Sequence, residues 1–230
     1  MIDIRTFQYF TGNQWHDPIE GQYIESENPA TGEIWARIPD CRQADVDLAV
    51  ANAKSAFYQG PWGRMQPAER GRTLRRIGDL ISKSAERLGA IETTDNGKLT
   101  SMITPGLLEG QWLVDSWHYY AGMCDKFEGS LIPAEVPNTH NYMKWVPFGP
   151  VAQILPWNSP LGTLFWKLAP CLAAGNTVVL KPSEHSSAST LELMDVLLEA
   201  DLPPGVINVI TGFGSTTAQP VIEHPDIRMV

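Results

Sequence analysis

The sequence predicts an α/β fold in which a helical N-terminal part and a β-hairpin arm precede a parallel sheet. Apolar residues recur at helical spacing in three segments between residues 45 and 125. From residue 149 onward, short apolar runs instead alternate with helical segments, as in parallel strands joined by helical crossovers. Glycine and proline punctuate residues 127–148 between these two parts, which indicates short extended pieces.

Residues 1–126 form the predicted helical part. Its first helix spans residues 45–57, where the apolar positions share one face: Val46, Ala49, Val50, Ala53 and Phe57. The second begins at Pro67, because proline fits the first turn of a helix, and its apolar stripe consists of Leu74, Ile77, Ile81 and Leu88. The third, over residues 107–125, is rich in aromatic side chains. These stripes predict a layer of amphipathic helices.

Residues 149–230 carry the alternating pattern. Strands are predicted over residues 151–155, 177–180 and 206–210, and helices over residues 162–174 and 187–200. A third helix follows to residue 223, and residues 227–230 begin a fourth strand. Because the sequence stops within this apolar strand, we expect Val230 to lie inside a longer polypeptide.

The composition excludes several classes of function. The net charge of −9 disfavours a general nucleic-acid binder, which needs a basic surface. The longest nearly apolar segment, residues 161–175, contains a lysine and a proline and is too short to span a bilayer. The three cysteines are far apart and predict neither disulfides nor a metal site: Cys41, Cys124 and Cys171. We therefore expect a cytoplasmic protein that binds neither nucleic acid nor membranes.

Each of the three predicted strands ends in a polar or glycine-rich motif. In open parallel sheets, ligands bind beyond the carboxyl ends of the strands. The motifs are Pro156-Trp157-Asn158-Ser159-Pro160, Lys181-Pro182-Ser183-Glu184 and Gly212-Phe213-Gly214. Taken alone, each has a structural explanation: a turn, a helix start and an incomplete glycine fingerprint. Three such ends on one edge favour a nucleotide site.

The amino-acid sequences of these segments, and their order along the chain, resemble those in the N-terminal half of the NAD(P)-dependent aldehyde dehydrogenase superfamily members. The matching motifs are Pro147-Phe-Gly-Pro-Val, Ile154-Leu-Pro-Trp-Asn, Trp166-Lys-Leu-Ala-Pro, Ala174-Gly-Asn-Thr-Val-Val-Leu-Lys-Pro-Ser-Glu and, earlier, Glu92-Thr-Thr-Asp-Asn-Gly-Lys. The resemblance implies that residues 149–230 are the first half of a Rossmann-like NAD-binding fold. It also implies that residues 127–148 are an oligomerisation hairpin and that residues 1–126 belong to the cofactor domain.

The resemblance further implies oxidation of an aldehyde to a carboxylic acid with NAD(P). A cysteine thiolate adds to the aldehyde, hydride passes to the nicotinamide, and water hydrolyses the thioester. Asn158 would donate its amide to the oxyanion, a contact worth roughly 10²–10³ in rate. Lys181 and Glu184 would bind the adenosine ribose, and a carboxylate there favours NAD over NADP. The full implied cofactor set is Ile154, Leu155, Pro156, Trp157, Asn158, Lys181, Ser183, Glu184 and Gly214.

Two departures from the family pattern qualify this expectation. Ala218 stands where the family carries a second glycine after Gly214. The nucleophilic cysteine and the general-base glutamate of the family lie beyond the position that matches Val230, so the chain by itself is expected to be inactive. For the longer parent we expect a small aldehyde substrate and a homodimer or homotetramer.

Two alternatives stay open at this point. One is a non-catalytic, truncated module that binds a nucleotide or a partner subunit. The other is a relative that forms acyl thioesters or reduces acyl phosphates.

Overall fold

The computed structural model describes residues 4–104 and 111–230. Its strands are β1 Arg5–Thr6, β2 Tyr9–Thr11, β3 Gln14–His16, β4 Tyr23–Asn28, β5 Glu33–Pro39, β6 Ser130–Ile132, β7 Asn141–Met143, β8 Pro150–Ile154, β9 Thr177–Lys181 and β10 Ile207–Val209. Its helices are α1 Gln43–Tyr58, α2 Pro67–Lys83, α3 Ala85–Asn96, α4 Thr100–Ile103, α5 Gln111–Met123, α6 Pro160–Ala173, α7 Ala188–Leu198 and α8 Gln219–Glu223. A π-helical turn, Gly214–Ala218, precedes α8. None of the helices in the described residues is long and apolar enough to cross a bilayer.

The central sheet has the strand order β3-β2-β10-β9-β8. Strands β8, β9 and β10 are parallel, and α6 and α7 connect them as the sequence predicts. The register pairs Ile154 with Lys181 at the carboxyl ends of β8 and β9. Helices α6 and α7 therefore cross over between neighbouring strands, and the loops that follow the strands emerge at one edge.

Helices cover both faces of this sheet, because successive strand residues point to opposite sides. Val179 packs in one apolar cluster with the buried face of α1. Its neighbours Val178 and Leu180 belong to a second, larger cluster that includes residues of α2, α5, α6 and α7. The core thus forms a three-layer α/β arrangement, and the predicted fold class is confirmed.

The N-terminal part differs from the prediction, because it is not purely helical. Five strands occupy residues 5–39, where we expected none. Strand β2 pairs antiparallel with β10, Phe10 opposite Val209, so the central sheet is mixed rather than wholly parallel. The buried Asn208 side chain secures this junction by accepting a hydrogen bond from Thr11 at 2.7 Å. Strands this short pair with residues almost 200 positions away and have little local signal.

The predicted hairpin is present in residues 127–148. Strands β6 and β7 pair antiparallel, with Leu131 opposite Tyr142. Every residue of both strands is exposed. We call residues 127–148 the arm. The arm therefore adds no buried side chain from its two strands to the core.

The predicted fourth strand is only partly formed. Residues 227–230 carry no strand assignment in the structure. Two backbone hydrogen bonds nevertheless join this segment to β8: Arg228 donates to Pro150, and Ala152 donates to Met229, each over 2.9 Å. The segment lies where a neighbouring strand would continue the sheet.

Candidate functional site

The loops after β8, β9 and β10 meet at one side of the central sheet. We call this site the strand-end edge and define it as residues 155–159, 182–185 and 210–214. The Leu155 amide donates to the Lys181 carbonyl at 2.9 Å, and the Ile210 amide donates to the Leu180 carbonyl at 3.0 Å. The backbone ladder therefore brings together the three motifs that the sequence singled out.

Lys181 and Glu184 form an ion pair at the centre of this edge. The Lys181 ammonium lies 2.9 Å from the Glu184 carboxylate. The side chain of Lys181 is 3% exposed and that of Glu184 is 24% exposed. Partial burial raises the pKa of Glu184, but the hydrogen bond from Lys181, a backbone hydrogen bond and nearby positive charge outweigh it and hold that pKa below its usual value. The edge therefore presents a charged carboxylate at neutral pH.

Ser183 lies between these two residues and organises the start of α7. Its hydroxyl accepts a hydrogen bond from the His185 amide at 3.3 Å, and its carbonyl accepts from the Ser187 hydroxyl at 2.7 Å. Ser183 is buried. It shapes the loop, whereas Glu184 is the more open side chain.

The loop after β8 presents both Trp157 and Asn158 to solvent, with Trp157 60% exposed. The Asn158 side chain makes no hydrogen bond with any residue that the structure describes. Pro156 is exposed as well, whereas Leu155 is buried and contributes to the edge only through its backbone. The Ile154 carbonyl accepts a hydrogen bond from the Lys167 ammonium at 2.8 Å, which ties the end of β8 to α6.

Side chains from the end of α3 hold this loop, a feature that the sequence motifs did not reveal. The Asn96 side-chain amide donates to the Trp157 carbonyl, and the Lys98 ammonium donates to the Ser159 hydroxyl at 2.8 Å. The Leu161 amide donates to the Glu92 carboxylate at 3.0 Å. The only available signal was the motif at residues 92–98, which contributed to the family resemblance but carried no assigned role.

Glu92 is completely buried beneath this loop. Burial raises its pKa, although the Leu161 amide, the Lys98 charge and the Ser189 hydroxyl act in the opposite direction. One carboxylate oxygen accepts from Leu161 and Ser189. The other has no hydrogen-bond partner among the described residues and lies 3.9 Å from the Lys98 ammonium.

Two glycines after β10 have different surroundings. Gly212 adopts φ +141°, and a Cβ on it would lie 2.0 Å from the Thr217 hydroxyl. A Cβ on Gly214 would meet nothing within 4 Å. Gly212 therefore lies in a tight turn that leaves no room for a side chain, whereas the space next to the Gly214 Cα is open. Ala218, four residues further on, is buried against the turn.

None of the three cysteines has the environment of a reactive thiol. Burial raises the pKa of Cys41 to about 12 and that of Cys171 to about 12, and it also raises the pKa of Cys124. A thiol with such a pKa stays protonated at neutral pH and is a poor nucleophile. All three are free cysteines, without a disulfide partner.

A cleft of about 390 Å³ lies apart from the strand-end edge, between α5 and the outer face of α6. Tyr119, Tyr120 and Trp166 line it together with Asp115 and Ser116.

Comparison with known proteins gives the family. The model of the aldehyde dehydrogenase family matches residues 15–230. The chain belongs to this family.

The relatives that this chain of the aldehyde dehydrogenase family matches are longer than the chain itself. It is 41% identical over 227 residues to (Z)-2-((N-methylformamido)methylene)-5-hydroxybutyrolactone dehydrogenase of Acinetobacter baylyi. This match covers 99% of this chain and 46% of that protein. It is 39% identical over 224 residues to human mitochondrial aldehyde dehydrogenase, covering 97% of this chain and 43% of that protein. The chain thus spans about half the length of the curated relatives that it matches.

The fold agrees with solved structures of the family. An NAD+ complex of aldehyde dehydrogenase from Bacillus cereus superimposes with a TM-score of 0.92 and 36% identity, covering 97% of this chain and 45% of that one. PnpE in complex with nicotinamide adenine dinucleotide superimposes with a TM-score of 0.91 and 40% identity, covering 96% and 44%. The strand-end edge therefore belongs to a domain whose solved relatives include NAD complexes.

Proposed function

We propose that the protein carrying this chain oxidises an aldehyde to a carboxylic acid with NAD as hydride acceptor. The observation that carries this proposal is the strand-end edge of an aldehyde dehydrogenase fold, where the Lys181–Glu184 pair adjoins the loop that presents Asn158. The substrate is a small aldehyde, and water supplies the second oxygen of the acid.

The residues of the edge fit a dinucleotide. A lysine ammonium beside a carboxylate supplies a donor and an acceptor, which a ribose diol needs. The open space at Gly214 leaves room for a ligand to approach the backbone, and the exposed Trp157 side chain offers an apolar surface in the loop after β8. The charged Glu184 carboxylate accepts from a 2′-hydroxyl and repels a 2′-phosphate, which favours NAD over NADP.

In this proposal, Asn158 acts on the substrate and the Lys181–Glu184 pair binds the cofactor. NAD, when bound, supplies the acceptor for the hydride. The Asn158 amide N–H donates to the aldehyde oxygen as negative charge develops on it, and such a donor contributes most when the loop already points it at that position. The backbone of Pro156 and Trp157, in the same loop as Asn158, would line the cofactor site at the strand-end edge.

We propose that the nucleophilic thiolate and the general base come from outside residues 1–230. Removal from water raises the pKa of each of the three thiols of this chain, so none of them supplies a thiolate at neutral pH. The 230-residue chain, produced by itself, is therefore expected to bind NAD without oxidising aldehydes.

The experiment that tests this proposal measures reduced nicotinamide and product acid for the protein that carries the chain. Asn158→Ala should lower kcat roughly 10²–10³-fold and leave the KM for NAD unchanged. Glu184→Ala should raise the KM for NAD and reduce the preference of the enzyme for NAD over NADP. Asn141→Ala, an exposed asparagine of the arm, is the matched control and should keep full activity. A product that is a CoA thioester, or NADP preferred over NAD by the unsubstituted protein, would contradict the proposal.

We also propose that the arm joins copies of the protein into a homodimer or homotetramer. Apolar side chains exposed on one short segment favour association with another chain. The exposed apolar side chains of the arm are Phe127, Leu131, Ile132, Val136, Tyr142, Met143, Trp145, Val146 and Phe148. The free cysteines are consistent with a reducing compartment, and we propose the cytoplasm.

A further inference from the structure

We propose that Asn96 and Lys98 are positioning residues that set the direction of the Asn158 side chain. This inference rests on the proposed function, because it concerns the residue that would bind the substrate oxygen. Neither Asn96 nor Lys98 belongs to the strand-end edge. Both lie at the end of α3, about 60 residues earlier in the sequence.

The first observation is that Asn158 has no side-chain anchor of its own. Its side chain is exposed and contacts no hydrogen-bonding partner in the part of the chain that the structure describes. The direction of its amide is therefore fixed by the backbone on either side, together with its rotamer preference. Whatever fixes residues 157 and 159 fixes the place from which Asn158 points.

The second observation is that α3 holds these two flanking residues. Asn96 donates to the backbone carbonyl of Trp157, immediately before Asn158. Lys98 donates to the side chain of Ser159, immediately after it, at 2.8 Å. The Ser159 hydroxyl in turn lies so close to Gly162 that a Cβ there would meet it at 2.6 Å. The loop is thus held on both sides of Asn158 and packed against the start of α6.

The third observation is that the support itself is anchored. Gly97 separates the two donors in a left-handed conformation, φ +79°, and a Cβ on it would lie 2.8 Å from the Pro29 ring. The Glu92 carboxyl group accepts a hydrogen bond from the Leu161 amide, and its other oxygen lies 3.9 Å from the Lys98 ammonium. A charge-assisted donor in a partly buried site is stronger than a neutral one. Lys98 is therefore held toward the loop rather than released to solvent.

The Ser186 hydroxyl gives the same loop a second, independent donor. It reaches the Trp157 carbonyl at 3.1 Å from the β9 side of the strand-end edge. Removal of Asn96 therefore loosens the loop without leaving that carbonyl unpaired. Because Asn96 and Lys98 are partly exposed, their substitution is expected to leave the fold intact.

The decisive experiment is a double-mutant cycle in the protein that carries the chain. Asn96→Ala should lower kcat about 10- to 100-fold, the scale expected when a catalytic group is misplaced, and leave the KM for NAD unchanged. In an Asn158→Ala background the same change should have no further effect, because there is no amide left to position. Lys98→Met should behave likewise, and Lys98→Arg should restore most of the loss. Thr94→Ala, on the same helix, is the control.

The outcomes separate this inference from the proposed function. Equal losses in both backgrounds, or no loss from Asn96→Ala, would overturn positioning while leaving aldehyde oxidation in place. Amide hydrogen exchange over residues 157–161 does not depend on catalysis, and it should be faster in Asn96→Ala and Lys98→Met than in Thr94→Ala. If the protein oxidises aldehydes but the two variants exchange these amides no faster than Thr94→Ala does, the positioning inference is overturned. Faster exchange in a protein that oxidises no aldehyde would overturn only the proposed function.

Discussion

The strand-end edge and the arm both contain several prolines and glycines, yet the rest of the fold holds them to different extents. At the strand-end edge, the Trp157 carbonyl accepts from two side chains and Ser159 from a third. In the arm, β6 and β7 pair with each other and every strand residue is exposed.

The difference shows that the conformation of a proline- and glycine-containing segment is fixed by the elements that pack against it. The loop after β8 is positioned by α3 and by the neighbouring strand, so it can present a side chain in one direction. The arm has no such neighbour among the described residues, and its apolar surface suits association with another chain. Three pairs of substitutions break or sharpen this comparison.

The largest effect is expected when the same substitution is made in the core helix that follows the β8 loop of the strand-end edge and in the arm. Leu164 on α6 is 0% exposed and Leu131 on β6 is 78% exposed. Leu164→Ala should lower the free energy of unfolding by about 2–5 kcal/mol, because it leaves a cavity in the core. Leu131→Ala should change it by less than about 0.5 kcal/mol. Chemical denaturation of both variants measures the two values.

The same pair tests the role of the arm. Leu131→Ala should weaken self-association, as followed by analytical ultracentrifugation over a range of protein concentrations, while Leu164→Ala should act through stability alone. A large loss of stability from Leu131→Ala in the dissociated protein would contradict the contrast between the two regions.

An intermediate effect is expected at two glycines with the same close approach. A Cβ on Gly212 would lie 2.0 Å from the Thr217 hydroxyl, and one on Gly129 would lie 2.0 Å from the Met143 carbonyl. Gly212→Ala should cost about 1–3 kcal/mol, because its φ of +141° strains any side chain and the core around it does not yield. Gly129→Ala should cost less, since the exposed arm can shift.

Thermal unfolding compares these variants, with Gly214→Ala as the control at an open position. Gly214→Ala should melt like the unsubstituted protein and weaken NAD binding. Equal losses from Gly212→Ala and Gly129→Ala would show that the arm is as constrained as the strand-end edge.

The smallest effect concerns the pH dependence of stability. The pKa of Glu184 is lowered below its usual value of 4.5, so its ionised form favours the folded state. This contribution is present above about pH 4.5 and is lost as the pH falls through the lowered pKa. Glu184→Gln should reduce the free energy of unfolding at neutral pH by at most about 1 kcal/mol, because the Glu184 side chain is partly exposed to solvent.

The difference between Glu184→Gln and the unsubstituted protein should vanish in acid, and unfolding curves recorded from acid to neutral pH measure it. Glu135→Gln removes an exposed carboxylate of the arm and should leave the curves unchanged. A difference for Glu184→Gln that grows toward acid pH would have the wrong sign for this pair.

Much of the fold followed from the sequence, because the governing signals are local. The strand predicted over residues 151–155 is β8 Pro150–Ile154, and the helix predicted over residues 45–57 lies within α1 Gln43–Tyr58. The spacing of apolar residues within a helix or strand indicates, without any information from distant residues, which face of that element is buried. The strands β1, β2 and β3 were missed because they have two or three residues each, and β1 and β2 depend on partners elsewhere in the chain. Strands β4 and β5 are longer and pair with each other, and the sequence analysis missed them although their partner is local.

The same division applies to the candidate site. Lys181 ends β9 and Glu184 follows three residues later, so the sequence by itself brought them to one place, and the family resemblance implied their role. Their contact distance is decided by packing, and so is the hydrogen bond from Lys181 that, against the effect of partial burial, holds the pKa of Glu184 below its usual value.

The support of Asn158 was decided by tertiary structure alone. Asn96 and Lys98 are each 61 residues from the atoms they contact, and nothing in their own segment specifies that contact. The sequence determined which strands, helices and strand-end motifs this protein has, since those depend on neighbours along the chain. The tertiary structure decided which of them touch, because hydrogen bonds across the fold exist only once α3 has packed beside the loop that follows β8.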